Sequence, residues 1–182
     1  MRVIAGTARG TPLKTLEGES VTRPTIDRVK EAMFSSVQFL VPGARVLDLF
    51  AGSGQLGIEA LSRGARSCLF LDRSPQAVEI ITENCRRAGV LAGSDIRLGE
   101  AKTVLANLRG PFDLVLLDPP YSHGTLAEIL PLLAGKVVPG GAVLCESETD
   151  AELPERVGSL ILKKQYRYGK VLVSRYESEE PQ

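Results

Sequence analysis

The stretch that most limits what this chain can fold into is Val46-Leu47-Asp48-Leu49-Phe50-Ala51-Gly52-Ser53-Gly54-Gln55-Leu56-Gly57. An apolar, β-prone run ends in a glycine-rich turn, and an apolar helical pattern follows through Leu56, Ile58, Ala60 and Leu61. Strand, tight turn and helix in that order form the first βα unit of a doubly wound sheet, which takes its ligand at the strand's carboxyl end. Gly52-x-Gly54-x-x-Gly57 matches the dinucleotide fingerprint, a pattern too common to identify a ligand alone. Asp48, four residues before Gly52, narrows the choice. A carboxylate there repels a pyrophosphate and attracts an ammonium or sulfonium. The glycines then let the backbone approach an uncharged ribose and a cationic amino acid. That ligand description fits S-adenosylmethionine better than NAD. The alternative is a structural turn whose aspartate caps the helix.

The rest of the chain alternates around this unit. Arg2-Val3-Ile4-Ala5 and Pro12-Leu13-Lys14 read as an opening β-hairpin turning through Ala8-Arg9-Gly10. A helix follows, with Thr25 as N-cap, Ile26, Val29, Met33 and Val37 on one face, and Pro42-Gly43 as its stop. Strand 67–72 leads to a helix opened by Ser74-Pro75 and closed by Gly89. Strand 95–98, a helix near 101–108, the buried strand 112–117, a helix near 124–134 and strand 142–146 continue the pattern. Segments 159–166 and 170–176 form a terminal antiparallel hairpin. The expected fold is a Rossmann-like α/β domain with a seven-stranded, mostly parallel sheet. The expected division is an N-terminal extension, 1–41, a core, 42–176, and an acidic tail, 177–182.

With 182 residues, 43% hydrophobic and 24% charged, the chain has the size and composition of one globular domain. No apolar run approaches a membrane span, and a cytoplasmic monomer is expected. Cys68, Cys85 and Cys145 are widely spaced, unaccompanied by histidine clusters, and read as reduced apolar fillers; no metal is expected. A net charge of zero argues against a general nucleic-acid binder. The charge is nonetheless uneven. Residues 1–45 carry an excess of Lys and Arg, and Lys163, Lys164, Arg167, Lys170 and Arg175 form a run without acids. Basic ends around an acidic middle suit a docked polyanion, and scattered solvated side chains suit the pattern almost as well.

Two further strand ends carry chemistry. Asp72 closes the second strand, where an acid grips both ribose hydroxyls in nucleotide-binding folds; helix capping is its alternative role. Gly99-Glu100-Ala101 closes the third and flanks the expected adenine. Asp118-Pro119-Pro120-Tyr121 follows the buried strand 112–117. Two prolines remove two amide donors, so this loop is rich in acceptors for the N–H groups of an exocyclic amine. Tyr121 offers a flat face for a base. His123 reads as a solvent-exposed loop histidine. Glu146, Glu148, Asp150, Glu152 and Glu155 read as a solvated loop.

On these residues the chain resembles the bacterial RsmD-type family, methyltransferases acting on the N2 of a guanine in small-subunit 16S ribosomal RNA. The resemblance spans nearly the whole chain. It rests on Arg2-Val3-Ile4-Ala5-Gly6, on Arg23-Pro24-Thr25-x-x-Arg28-Val29-Lys30-Glu31-Ala32-Met33-Phe34, on Asp48-Leu49-Phe50-Ala51-Gly52-Ser53-Gly54 and on Asp118-Pro119-Pro120-Tyr121. It implies S-adenosylmethionine as cofactor, held by Asp48, Gly52, Gly54, Asp72 and Glu100-Ala101, with Phe50, Ala51, Ser53 and Arg73 in the same set. It assigns catalysis to Asp118, Pro119, Pro120 and Tyr121. Arg2, Arg9, Arg23, Arg28 and Lys30 are the expected RNA-binding residues, toward 16S RNA in an assembled or assembling small subunit. Gln55 stands where a small residue is expected, and Glu100 where an aspartate is more usual. Three other classes remain: an adenine-N6 methyltransferase on DNA or RNA, an NAD-dependent oxidoreductase, and a non-catalytic RNA-binding assembly factor.

Overall fold

The computed structural model describes residues 1–17, 23–120 and 124–180, with the backbone alone for 23–25. Five parallel strands, β1 (Arg45–Leu49), β2 (Ser67–Asp72), β3 (Ser94–Leu98), β4 (Phe112–Leu117) and β5 (Val137–Glu148), make the larger part of the sheet. An antiparallel extension follows: β6 (Arg156–Val157), β7 (Leu160–Tyr168) and β8 (Val171–Ser178). The order is β3-β2-β1-β4-β5-β8-β7-β6, so the strand order reverses beside β1. The doubly wound class expected from the sequence stands. Among the described residues the sheet has eight strands and not seven; the addition, β6, pairs only Arg156 and Val157 and is too short to carry a periodic signal.

Alternation along each strand divides the core in two. Val46, Phe70, Leu116 and Leu144 pack with α1 (Arg23–Ser36), α2 (Gln55–Ser62) and α3 (Pro75–Arg87). Leu47, Leu71, Leu117 and Val143 pack with α4 (Ala101–Asn107) and α5 (Thr125–Leu133) on the opposite face. Ser74 caps α3 as expected, its hydroxyl accepting from the Ala77 amide with Pro75 next to it. All three cysteines are buried and free. Among the described residues no helix is long and apolar enough to cross a membrane.

The opening hairpin forms in shortened form: Val3 N–H donates to the Thr11 carbonyl, Gly10 N–H to Val3 and Leu13 N–H to Met1, around the Arg2–Pro12 bridge. Beyond it, Ile4 N–H and Ala5 N–H donate at 2.9 and 3.0 Å to the carboxylate of Glu59 on α2. Ser62 accepts from the Ala8 amide and donates to the Ala5 carbonyl, and Asn84 on α3 bonds Lys14 in both directions. Val3, Ala8 and Leu13 join the core, together with Val29, Met33 and Phe34 of α1. The described residues of the N-terminal arm are thus bolted to the α2–α3 face. Helix α1 begins at Arg23, ahead of the expected cap Thr25, and ends at Ser36, short of Pro42. At the other end β8 runs through Ser178, so Glu177 is strand and not tail; it pairs with Arg175 at 3.2 Å.

The third glycine of the turn is a packing residue. A Cβ on Gly57 would lie 2.3 Å from the Phe70 ring and 2.7 Å from the Cys68 sulfur, so α2 sits on β2 only because the side chain is missing. Gly57→Ala is expected to lower stability by about 1–3 kcal/mol through overpacking, although alanine is the better helix former. Thermal denaturation of the variant checks this, and Gly57→Ala with Phe70→Leu should recover part of the loss.

Candidate active site

Four strands of the parallel set end in a carboxylate, and alternation aims all four the same way. Asp48, Asp72, Asp118 and Glu146 each lie two residues beyond Val46, Phe70, Leu116 and Leu144, which pack into the α1–α2–α3 core. Register sets their levels. Leu49 pairs with both Leu71 and Leu117, so Asp72 and Asp118 flank Phe50; Leu117 pairs with Cys145, so Asp118 and Glu146 stand side by side. Asp48, level with Phe70 and Leu116, lies two residues deeper. All four line a single cavity of about 820 Å3 at the carboxyl edge of the sheet.

The glycine turn forms the cavity's floor. Phe50 takes a left-handed φ of 58°, a conformation that strains a bulky side chain and turns the chain out of β1. The Ala51 amide then donates to the Leu71 carbonyl, Gly52 N–H to Asp72 at 2.9 Å, and Gly54 N–H to the Ala51 carbonyl at 2.7 Å. Gly54, at φ 79°, is the N-cap position of α2. The Asp48 carboxylate accepts the Gly57 amide at 2.9 Å, so it caps α2 as well as lining the cavity. Asp72 likewise accepts from Ser74 N–H with its second oxygen. Asp48 thus takes the capping role raised as its alternative while lining the cavity; at α3 the cap is Ser74, and there Asp72 bonds only the amide of that residue. Asn84 ties this floor to the N-terminal arm, donating to the Ser53 and Lys14 carbonyls.

Electrostatics follow from crowding. Burial pushes the Asp48 carboxyl up to about 8; the Gly57 amide opposes this, while Asp118 and Asp72 add to it. Burial, with Asp118 and Asp48 as neighbours, drives Glu146 well above the usual carboxylate range. A cavity walled by converging carboxylates is an acceptor-rich, cation-favouring space.

Most expected site residues meet here: Phe50, Ala51, Gly52, Ser53, Arg73, Glu100, Ala101, Pro119 and Pro120 line the cavity with the aspartates. Gly54 lies just behind, against Ile81. Tyr121 and His123 lie outside the described residues. Of the expected RNA contacts, Arg2, Arg9 and Arg28 are exposed, Arg2 pairing with Asp27, while the Arg23 side chain lies outside the description. Lys30 is a correction. Its side chain is 1% exposed, donates to the Arg2 carbonyl at 2.6 Å and pairs with Glu59 at 3.3 Å, out of reach of a docked polyanion. Burial lowers its pKa, with Glu59 pulling the other way. Its spacing on α1 matches the buried face of Ile26, Val29 and Met33, which the sequence already displayed.

Two residues were missed. Glu146 is no solvated-loop acid: it belongs to β5, is half-buried and lines the cavity. The signal was present, since the apolar run Ala142-Val143-Leu144-Cys145 ends in an acid as β1, β2 and β4 do. Gln55, at the start of α2, lines the same cavity and holds a buried amide oxygen without a donor.

A family profile described as "Conserved hypothetical protein 95" matches residues 1–177. The chain is similar to "Putative rRNA methyltransferase YlbH" of Bacillus subtilis, with 38% identity covering 97% of this chain and 98% of that protein. It is similar to "Ribosomal RNA small subunit methyltransferase D" of Escherichia coli, with 31% identity covering 98% and 90%. A solved structure, "Putative methyltransferase yhhF from Escherichia coli", superposes with a TM-score of 0.88 at 30% identity, covering 98% of both chains. With a cavity built at the switch point of its sheet and these relatives matched end to end, the chain belongs to the conserved hypothetical protein 95 family, the RsmD and YlbH family of methyltransferases.

Proposed function

We propose that the protein is an S-adenosylmethionine-dependent methyltransferase that modifies the exocyclic N2 of a guanine in 16S ribosomal RNA, within the small subunit or its precursor. The observation that carries this reading is the placement of Asp118-Pro119-Pro120 in one cavity with Asp48, Asp72 and the glycine turn. The names of the relatives supply the ribosomal RNA.

The cavity fits the methyl donor on three counts. Its 820 Å3 lies in the size range of cofactor sites and exceeds what a nucleoside alone requires. Its polar wall is made of carboxylates, which suit ribose hydroxyls, an ammonium and a sulfonium. The buried Gln55 oxygen is an acceptor awaiting a donor. A dinucleotide fits poorly, because the amides that would cradle a pyrophosphate are already bonded: Gly52 to Asp72, Gly54 to Ala51 and Gly57 to Asp48. S-Adenosylmethionine is the methyl-donating substrate, offering an electrophilic methyl on a sulfonium.

This chain's residues then orient the acceptor. An exocyclic amine offers two N–H donors, and its lone pair is delocalised into the ring. The Asp118 carboxylate and the Pro119 carbonyl accept these hydrogens and draw the nitrogen toward a tetrahedral, nucleophilic geometry. Asp118 stands where a proton released from nitrogen can be received. Arg2, Arg9 and Arg28 supply phosphate contacts that position RNA without reading bases.

Incubation with labelled S-adenosylmethionine and, separately, small subunits, 16S RNA and DNA should yield N2-methylguanosine from the ribosomal substrate. N6-methyladenosine, or no transfer, would overturn the reading. Asp118→Ala should lower single-turnover rate by about tenfold to over a hundredfold, the worth of a charge-assisted hydrogen bond, with S-adenosylhomocysteine affinity nearly unchanged.

A pH dependence follows from Asp48. Its carboxyl, pushed up to about 8, is mostly protonated below that pH. A nearby sulfonium favours the ionised form, so binding below pH 8 expels a proton and affinity rises with pH. S-Adenosylhomocysteine carries no sulfonium and shares every other group. The affinity ratio of S-adenosylmethionine to S-adenosylhomocysteine should therefore rise between about pH 6 and 8, by at most about tenfold per unit, then level off. A flat ratio in calorimetry would remove Asp48 from the cation's surroundings.

A further inference from the structure

We propose that Glu146 reads the target base: one oxygen of its carboxyl accepts the N1–H of the guanine whose exocyclic amine is held by Asp118 and the Pro119 carbonyl. This inference rests on the guanine-N2 reading and deepens it.

The geometry comes from strand register. Leu117 of β4 pairs with Cys145 of β5, so Asp118 and Glu146 are the next residues on neighbouring parallel strands. Parallel strands lie about 4.8 Å apart, and equivalent residues point to one face. Two carboxyls therefore reach the same cavity side by side. Glu146 and the two prolines also line an adjoining cavity of about 290 Å3, so the Glu146 side chain stands in the wall between the two spaces.

The chemistry of the pair is one-sided. The groups that act on Glu146 are Asp118 and Asp48, both acids, and among the described residues no hydrogen bond or ion pair to its carboxyl is found. Its oxygens stay open to water, so a ligand that fills the cavity displaces that water and must bring donors in its place. Guanine brings them in the right order. Its edge presents N1–H directly beside the N2 amino group, two adjacent donors for two adjacent carboxyls. Whether ionised or protonated, the Glu146 carboxyl keeps an oxygen able to accept. A site built to bond a substrate N–H rejects an analogue lacking it strongly, because its own polar group is then left unpaired.

2-Aminopurine separates this role from general packing. It retains the C2 amino group, the methyl acceptor, but its N1 is an acceptor and carries no hydrogen. Small subunits reconstituted with RNA carrying guanine or 2-aminopurine at the mapped position would be methylated by wild-type protein, Glu146→Gln and Glu146→Ala. Wild type should prefer guanine by tenfold or more in kcat/KM. Glu146→Gln keeps an acceptor oxygen for guanine and gains an amide N–H for the N1 of 2-aminopurine. It should stay within a few-fold of wild type on guanine and shrink the preference about tenfold. Glu146→Ala should lose about tenfold on guanine and erase the preference. Calorimetry with S-adenosylhomocysteine should give affinities within threefold for all three proteins.

If both variants keep the wild-type preference, or wild type shows none, Glu146 does not read N1–H and the inference fails alone. If wild type forms a methylated nucleoside other than N2-methylguanosine, the guanine-N2 reading fails first. The isosteric Gln variant keeps the test decisive even if Glu146→Ala does not fold.

Discussion

The hydrogen bond from the Gly57 amide to the buried Asp48 carboxylate is the constraint on which the site depends. It joins the end of β1 to the first turn of α2, so the residues between them, Phe50 to Gly54, must form a tight loop of fixed shape. Phe50 accepts a left-handed φ within it, and Gly54 does so without strain. The Gly57 amide favours the ionised form of Asp48 and so opposes part of what burial does to its carboxyl. The same bond occupies an amide that a phosphate would need. One contact thus shapes the floor of the cavity and sets which ligands suit it.

A second buried polar centre explains why the N-terminal arm is part of the domain. Glu59 is wholly buried on α2 and gathers two backbone amides of the arm, Lys30 of α1 and Arg63 of its own helix. Removing one partner from such a cluster leaves an uncompensated buried charge, typically worth about 3–5 kcal/mol. The cluster therefore holds the arm against α2, and with it Met1, Leu16, Ile26 and Val29, which complete the cavity wall. Asn84 extends the connection to Ser53 in the glycine turn. The arm and the glycine turn are mechanically one piece.

Much of this was legible in the sequence. The parallel strands announce themselves as apolar runs ending at Asp48, Asp72 and Asp118, because strands buried on both faces admit polar residues only where they emerge. The Ser74-Pro75 cap and the terminal hairpin are local signals and sit where expected. What was not legible depends on partners distant in sequence. Lys30 shares the spacing of the buried face of α1, but Glu59 looks like an ordinary surface charge, and only the fold brings the two together with Arg2, Ile4 and Ala5. The hairpin expected at the N-terminus forms, but its anchor, Glu59 against the Ile4 and Ala5 amides, is not written in the hairpin's own residues. Glu146 was hidden by the acids that follow it, Glu148, Asp150, Glu152 and Glu155, which make the strand end read as a solvated loop.

On the proposed reading, the carboxylates at the strand ends divide the work: Asp48 and Asp72 toward the methyl donor, Asp118 and Glu146 toward the base. That division requires the cavity to select a sulfur-containing, cationic nucleoside over a pyrophosphate-bearing one. Calorimetric titration of the unmodified protein with S-adenosylhomocysteine and, separately, with NAD tests this most directly. Saturable binding of S-adenosylhomocysteine with no detectable heat from NAD is expected. Binding of NAD without binding of S-adenosylhomocysteine would contradict the account at its centre.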